Sequence, residues 1–118
     1  MKTGIKLIAE ERKRQVEVEG WDDEHDDEHD EGELAMAAVC YASPDLIYQL
    51  SDGSNNYLFI DPWPSNWLRK WDKRKYKNVV YIIPNGELPN NERIRNLVKA
   101  GALIAAEIDR LQRLNGGK

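Results

Sequence analysis

Asn91-Glu92-Arg93-Ile94-Arg95-Asn96-Leu97-Val98-Lys99-Ala100-Gly101-Ala102-Leu103-Ile104-Ala105-Ala106-Glu107-Ile108-Asp109-Arg110-Leu111-Gln112-Arg113-Leu114 repeats apolar or small residues at Ile94, Leu97, Val98, Gly101, Ile104, Ala105, Ile108 and Leu111. Intervals of three and four hold the helical period over several turns, so the spacing predicts one long helix. Asn90 or Asn91, after Pro89, is placed to cap its start, and Asn115-Gly116-Gly117 to close its end. Ala100-Gly101-Ala102 is narrow enough for a neighbouring helix to lie against it. Lys99 and Glu107 are the charged residues of this apolar middle, and two turns, about 12 Å, separate them, which weakens a direct salt bridge.

Two further helices are expected upstream. Ile5 to Glu19 has few breakers and a thin apolar stripe at Ile5, Ile8 and Val16, with Gly20 as a left-handed stop and Trp21 as a buried anchor at the junction. Leu34, Ala37, Ala38 and Tyr41 share one face, widened by Met36 and Cys40, in a core helix ending near Ser43. Between them runs Asp22-Asp23-Glu24-His25-Asp26-Asp27-Glu28-His29-Asp30-Glu31-Gly32-Glu33, in which nine of twelve side chains are carboxylates. Carboxylates favour the positive end of a helix dipole, so this run can begin the second helix.

The middle of the chain reads differently. Ser43-Pro44-Asp45 has the signature of a short helix through Leu50, and residues 51–56 form a polar loop. Tyr57-Leu58-Phe59-Ile60 and Val79-Val80-Tyr81-Ile82-Ile83 are short apolar, aromatic and β-branched runs suited to an antiparallel pair. Ser65 is placed to cap a short helix bringing Trp67 and Trp71 together. The expected fold is mainly α: one domain over residues 1–118, a helical core, and an aromatic-basic excursion over 44–90 containing a short two-stranded β ribbon.

Composition narrows the function classes. A chain of 118 residues, 41% hydrophobic and 32% charged, suits one modest core and folding alone or as a small homo-oligomer. The net charge of −4 argues against a stable nucleic-acid partner, although Arg69, Lys70, Lys73, Arg74, Lys75 and Lys77 form a local basic cluster opposed only by Asp72. One cysteine, Cys40, makes no internal disulfide, and no signal-like apolar stretch follows Met1. A cytoplasmic protein without a membrane segment is expected.

Two segments carry candidate chemistry. His25 and His29 have the spacing of a zinc-protease helix, but Asp26 stands where that motif needs Glu and no third ligand is evident. Oxygen ligands from Asp26, Asp27 and Glu33, with Glu107, suit magnesium better; the alternative is a solvated acidic face. In the excursion, Trp67 and Trp71 can stack on a base while Arg69 and Arg74 hold phosphate, and the alternative is that Trp63, Trp67 and Trp71 simply pack.

Ile8-Ala9-Glu10-Glu11-Arg12 with Arg14-Gln15, then Glu19-Gly20-Trp21, Glu24-His25-Asp26-Asp27, Gly32-Glu33-Leu34-Ala35 and Tyr41-Ala42, resemble a group of small bacteriophage and prophage proteins, as does the tail 96–108. The resemblance covers roughly half the chain. These proteins are loosely similar to all-α nucleotide pyrophosphohydrolases of the MazG type, in which carboxylates of neighbouring helices hold magnesium around a nucleotide. That likeness implies magnesium as a cofactor and Glu10, Glu11, Glu33 and Glu107 as residues to test. The enzyme pattern of Glu-Glu-x-x-Glu and Glu-x-x-Asp is incomplete, since Glu10-Glu11 leads to Arg14 and Glu33 to Met36. The resemblance therefore implies a phage accessory protein that binds a nucleotide-type small molecule, with sequestration of a host immune signal as the expected role, rather than one that turns it over. Magnesium-dependent hydrolysis and an acidic inhibitor of a host defence enzyme are the alternatives. Should the aromatic-basic segment not bind, Glu11, His25, Lys99 and Glu107 frame the next candidate pocket.

Overall fold

The structure, a computed structural model, describes residues 1–47, 49–50, 59–64, 67, 71–74 and 82–116, with backbone only at 49–50 and 59–60. Four helices dominate the described residues: α1 (Gly4–Glu17), α2 (Asp23–Asp27), α3 (Glu33–Ala42) and α4 (Asn90–Leu114). Both α1 and α3 pack on α4, which is the central element. No helix among the described residues is long and apolar enough to cross a membrane.

Each boundary has a local cause. Thr3 caps α1 by accepting a hydrogen bond from the Lys6 backbone. Gly20, at φ +76°, lets the chain reverse so that the Trp21 N–H reaches the Gln15 carbonyl at 2.9 Å. Asp22 then caps α2 through the His25 N–H. The acidic run does not lead directly into the next helix: Gly32, left-handed at φ +84°, separates the single turn of α2 from α3. At the far end of α3, the Asn85 side-chain amide donates to the carbonyls of Cys40, Tyr41 and Ser43 at 3.0, 2.9 and 2.7 Å. These are carbonyls that a helix end leaves without partners. Asn96 of α4 donates in turn to Asn85 Oδ1, so one amide joins α3, the 3-10 turn Asn85–Glu87 and α4.

The core combines Trp21, Leu34, Ala37, Ala38, Tyr41, Trp67, Ala100, Leu103 and Ala106, with Trp63 and Trp71 against it. The anticipated faces of α3 and of Trp21 are therefore buried. Two other faces are not as the periodicity suggested. On α4 the large residues Ile104 and Ile108 are about half exposed, at 48% and 51%, while Ala100, Ala102, Leu103 and Ala106 face inward. Small side chains let the α3 alanines approach, and the indoles supply the bulk that the large aliphatics would have brought. On α1, Ile5 and Val16 are exposed and the buried residues are Glu11 and Gln15, because α4 meets this face with Arg95 rather than with an apolar ridge.

The remaining corrections concern ends and turns. No asparagine caps α4; Pro89 occupies the capping position without a side-chain hydrogen bond. The helix anticipated from Ser43-Pro44-Asp45 is absent from the described residues of that stretch: Ser43 Oγ donates to the Asp45 carbonyl, and Gln49–Leu50 is extended. Gln49–Leu50 (β1) pairs antiparallel with Phe59–Ile60 (β2), with Gln49 opposite Ile60 and Leu50 opposite Phe59. The pairing anticipated between 57–60 and 79–83 involves residues 57–58 and 79–81, which lie outside the described residues, as does the capping role of Ser65.

Candidate functional site

The charges most conspicuous in the sequence are matched to partners. Asp26, fully buried, takes a 2.8 Å ion pair from Arg12, which also donates to the Trp21 carbonyl, and lies 3.0 Å from His25 Nδ1. Arg113 of α4 spans Asp23 and Asp27 at 3.1 and 2.8 Å. His29 Nδ1 lies 3.2 Å from Glu33 and accepts from the Trp67 indole N–H at 3.2 Å, while Glu33 also accepts from the Glu31 N–H. Glu107 pairs with Arg110 one turn along α4. Among the described residues no three His, Cys, Asp or Glu side chains gather as a metal site, so Asp26, Asp27 and Glu33 do not converge.

The aromatic segment is likewise internal for the most part. Trp67 is buried and set perpendicular to Trp71, and Trp21 stacks on His25 at 5.6 Å. Arg74 does not reach outward for phosphate. Its side chain, 7% exposed, is bracketed by Asp61 and Asp72 at 2.7 and 2.9 Å and lies over the Trp63 ring. Arg69 is outside the described residues.

A different place gathers charges of both signs. Beside the N-terminal half of α4, where Lys73 of the excursion approaches it, a cavity of about 320 Å³ is lined by Lys73, Glu92, Arg95, Asn96 and Lys99. It adjoins a narrow cleft of about 20 Å³, roughly the space of one water. Trp21, Tyr41 and Trp71 wall that cleft, with Glu11, Arg14, Gln15 and Glu19 beside them and Lys73 and Lys99 shared with the outer cavity. Of the anticipated residues, Glu11, Trp71 and Lys99 thus come together. His25 and Trp67 stand behind Trp21 and Trp71, and Glu107 and Arg74 are engaged elsewhere.

The guanidiniums of the groove are matched, Arg14 reaching Glu19 at 3.0 Å as well as Glu11, and the uneven charge is that of Lys99. Glu11 receives both Arg14 and Arg95, at 2.8 and 2.7 Å. Burial pushes its carboxyl up, but the hydrogen bonds from Arg14 and Arg95 outweigh that and hold it below the usual range. Lys99 finds no hydrogen bond or ion pair among the described residues; its ammonium lies 5.5 Å from the Tyr41 ring centre. Burial, followed by the charge of Arg95 and the further positive charges of Arg14 and Lys73, lowers Lys99 to about 8 against the pull of Glu11. Two cleft residues also carry buried polar atoms without hydrogen-bond partners among the described residues: Gln15 Oε1, an acceptor, and Trp21 Nε1, a donor. His25 Nε2 is the third such atom.

The arrangement can hold an anion at its mouth and offers aromatic surface and two free hydrogen-bonding atoms within. It offers no activated thiol, since burial pushes Cys40 up to about 11. Lys73, Arg95 and Gln15 were not singled out as site residues by the sequence. One signal was present, because Arg95 and Lys99 are four apart on α4, a like-charge spacing that disfavours a helix unless something opposes it. No family model, curated protein or solved structure matches this chain significantly.

Proposed function

We propose that this protein binds a nucleotide-derived small molecule in the groove between α1 and α4. Phosphate meets Lys73, Arg95 and Lys99 in the outer cavity of about 320 Å³, which also has room for the base, and the aromatic cleft of about 20 Å³ behind it admits a water. The observation that carries this reading is Lys99: a half-buried amine lowered to about 8 by burial first and then by Arg95, with no ion pair among the described residues, is costly in the empty protein, and a phosphate removes that cost. Gln15 Oε1 and Trp21 Nε1, buried and without hydrogen-bond partners among the described residues, give a water in that cleft an acceptor and a donor.

Binding is favoured over hydrolysis because Glu11 and Glu107 are held by different arginines, and no three acidic, histidine or cysteine side chains gather as a metal site among the described residues. Together with the resemblance to phage proteins, the role we infer is sequestration of a nucleotide signal in the host cytoplasm. Calorimetric titration with a panel of cyclic and linear nucleotides, followed by recovery of the ligand from denatured protein, tests this. Saturable binding, weakened at least tenfold in Lys99→Met, and return of the ligand unchanged are expected. Absence of binding across the panel, or release of pyrophosphate or monophosphate during incubation, would contradict it.

A further inference from the structure

The second surface that calls for an occupant is the outward side of α4. Ile94, Leu97, Ile104, Ile108 and Leu111 are 53%, 52%, 48%, 51% and 47% exposed. With Gly101 between them, their intervals are three, four, three, four and three, which is the spacing of the a and d positions of a coiled coil. The side chain missing at Gly101 is supplied from α1: a Cβ built there would lie 2.5 Å from Ile8 Cδ1, so Ile8 fills the gap in the row. Ile5, three residues earlier on α1, is 84% exposed. These large aliphatic side chains are turned away from the core on the longest helix of the chain.

We infer that this face pairs with the same face of a second copy, the two α4 helices running antiparallel about a two-fold axis. The row reads the same from either end, so reversal brings Ile94 to Leu111, Leu97 to Ile108 and Ile104 to the position filled by Ile8. A two-fold interface requires such self-complementarity. Residues 94–111 span about 26 Å, and a strip of helix width with α1 at its shoulder offers on the order of 500 Å² per chain. The pair then buries about 1,000 Å², the lower range for a specific interface. Charge sets the direction: Arg93, exposed beside the row near the N-terminus of α4, meets the partner's C-terminal carbonyls when the helices are antiparallel, but meets its own copy when they are parallel.

Sedimentation equilibrium at micromolar concentration, with thermal melts, tests the pairing on wild type, Ile104→Glu and Ile108→Glu. A doubled mass for wild type and a single-chain mass for both variants, each still melting cooperatively, is expected. A single-chain wild type, or variants that remain paired, overturns the inference. For direction, Leu97→Cys and Ile108→Cys proteins are mixed and oxidised. Predominant coupling of unlike chains is expected, and predominant coupling of like chains overturns the antiparallel arrangement.

Discussion

The acidic turn α2 and the groove between α1 and α4 treat charge in opposite ways. Around α2, the carboxylates that reach the protein's interior or flank α4 have found cations: Asp26 has Arg12, and Asp23 and Asp27 have Arg113. In the groove Arg14 and Arg95 are matched by Glu11 and Glu19, and among the described residues Lys99 is left with an aromatic face. A dense run of one charge draws attention in a sequence, yet density says little about whether the charges are matched. Unmatched charge held in place by packing is the better pointer to a ligand, because folding alone does not explain it.

The sharpest way to break the matched side of this contrast is Arg74→Ala. It removes a buried guanidinium from Asp61 and Asp72, and unfolding in denaturant should show a loss of about 3–5 kcal/mol. A loss under about 1 kcal/mol, the scale of an exposed pair, would return Arg74 to the surface role that its sequence context suggested. Asp26→Asn comes next. It keeps the shape but removes the charge facing Arg12, and about 2 kcal/mol should be lost in the same experiment.

On the unmatched side the sign reverses. Lys99→Met removes a desolvated amine from a cationic neighbourhood, so the empty protein should gain about 1 kcal/mol while losing affinity for phosphate-bearing ligands. The pH dependence follows. Because Lys99 is lowered to about 8, the unfolded chain holds more protons than the folded one above that pH, and this group adds stability as pH rises toward the ordinary lysine range. Cys40, pushed up to about 11, and Tyr41, also pushed up by burial, act in the opposite sense above about pH 9. The quantity to measure is therefore the difference between wild type and Lys99→Met from pH 7 to 10, which should shift in favour of wild type by the upper end. A flat difference would mean that Lys99 is not held below its usual range. Asp27→Asn closes the series: its pair with Arg113 is 49% and 28% exposed, and a change below about 1 kcal/mol is expected, shrinking further in salt.

How much of this could be read from the residues depended on the kind of pattern. Helices α1, α3 and α4 follow from periodicity and from glycines at positive φ, and the α3 face from its alanines. The inward face of α4 did not, because its large aliphatics set the periodicity while tryptophans distant in sequence fill the core. Glu11 as a buried residue of α1 depends on Arg95, more than 80 positions away. The same holds for the site. Trp71 and Lys99 were visible as unusual residues, but Lys73 and Arg95 acquire meaning only when the excursion and α4 meet. Arg74 was misread because the carboxylate Asp61 that encloses it lies 13 residues back across the tryptophan segment.

The proposed binding rests most directly on Lys99, half-buried beside Arg95 and without an ion pair among the described residues. Carbon-13 NMR of lysine Cε, with Lys99→Met assigning the signal, titrates this amine directly. In the free protein it should titrate near 8, and saturation with a nucleotide that binds should move the midpoint upward. A Lys99 that titrates in the ordinary lysine range in the free protein, or keeps the same midpoint when nucleotide is bound, would contradict the account.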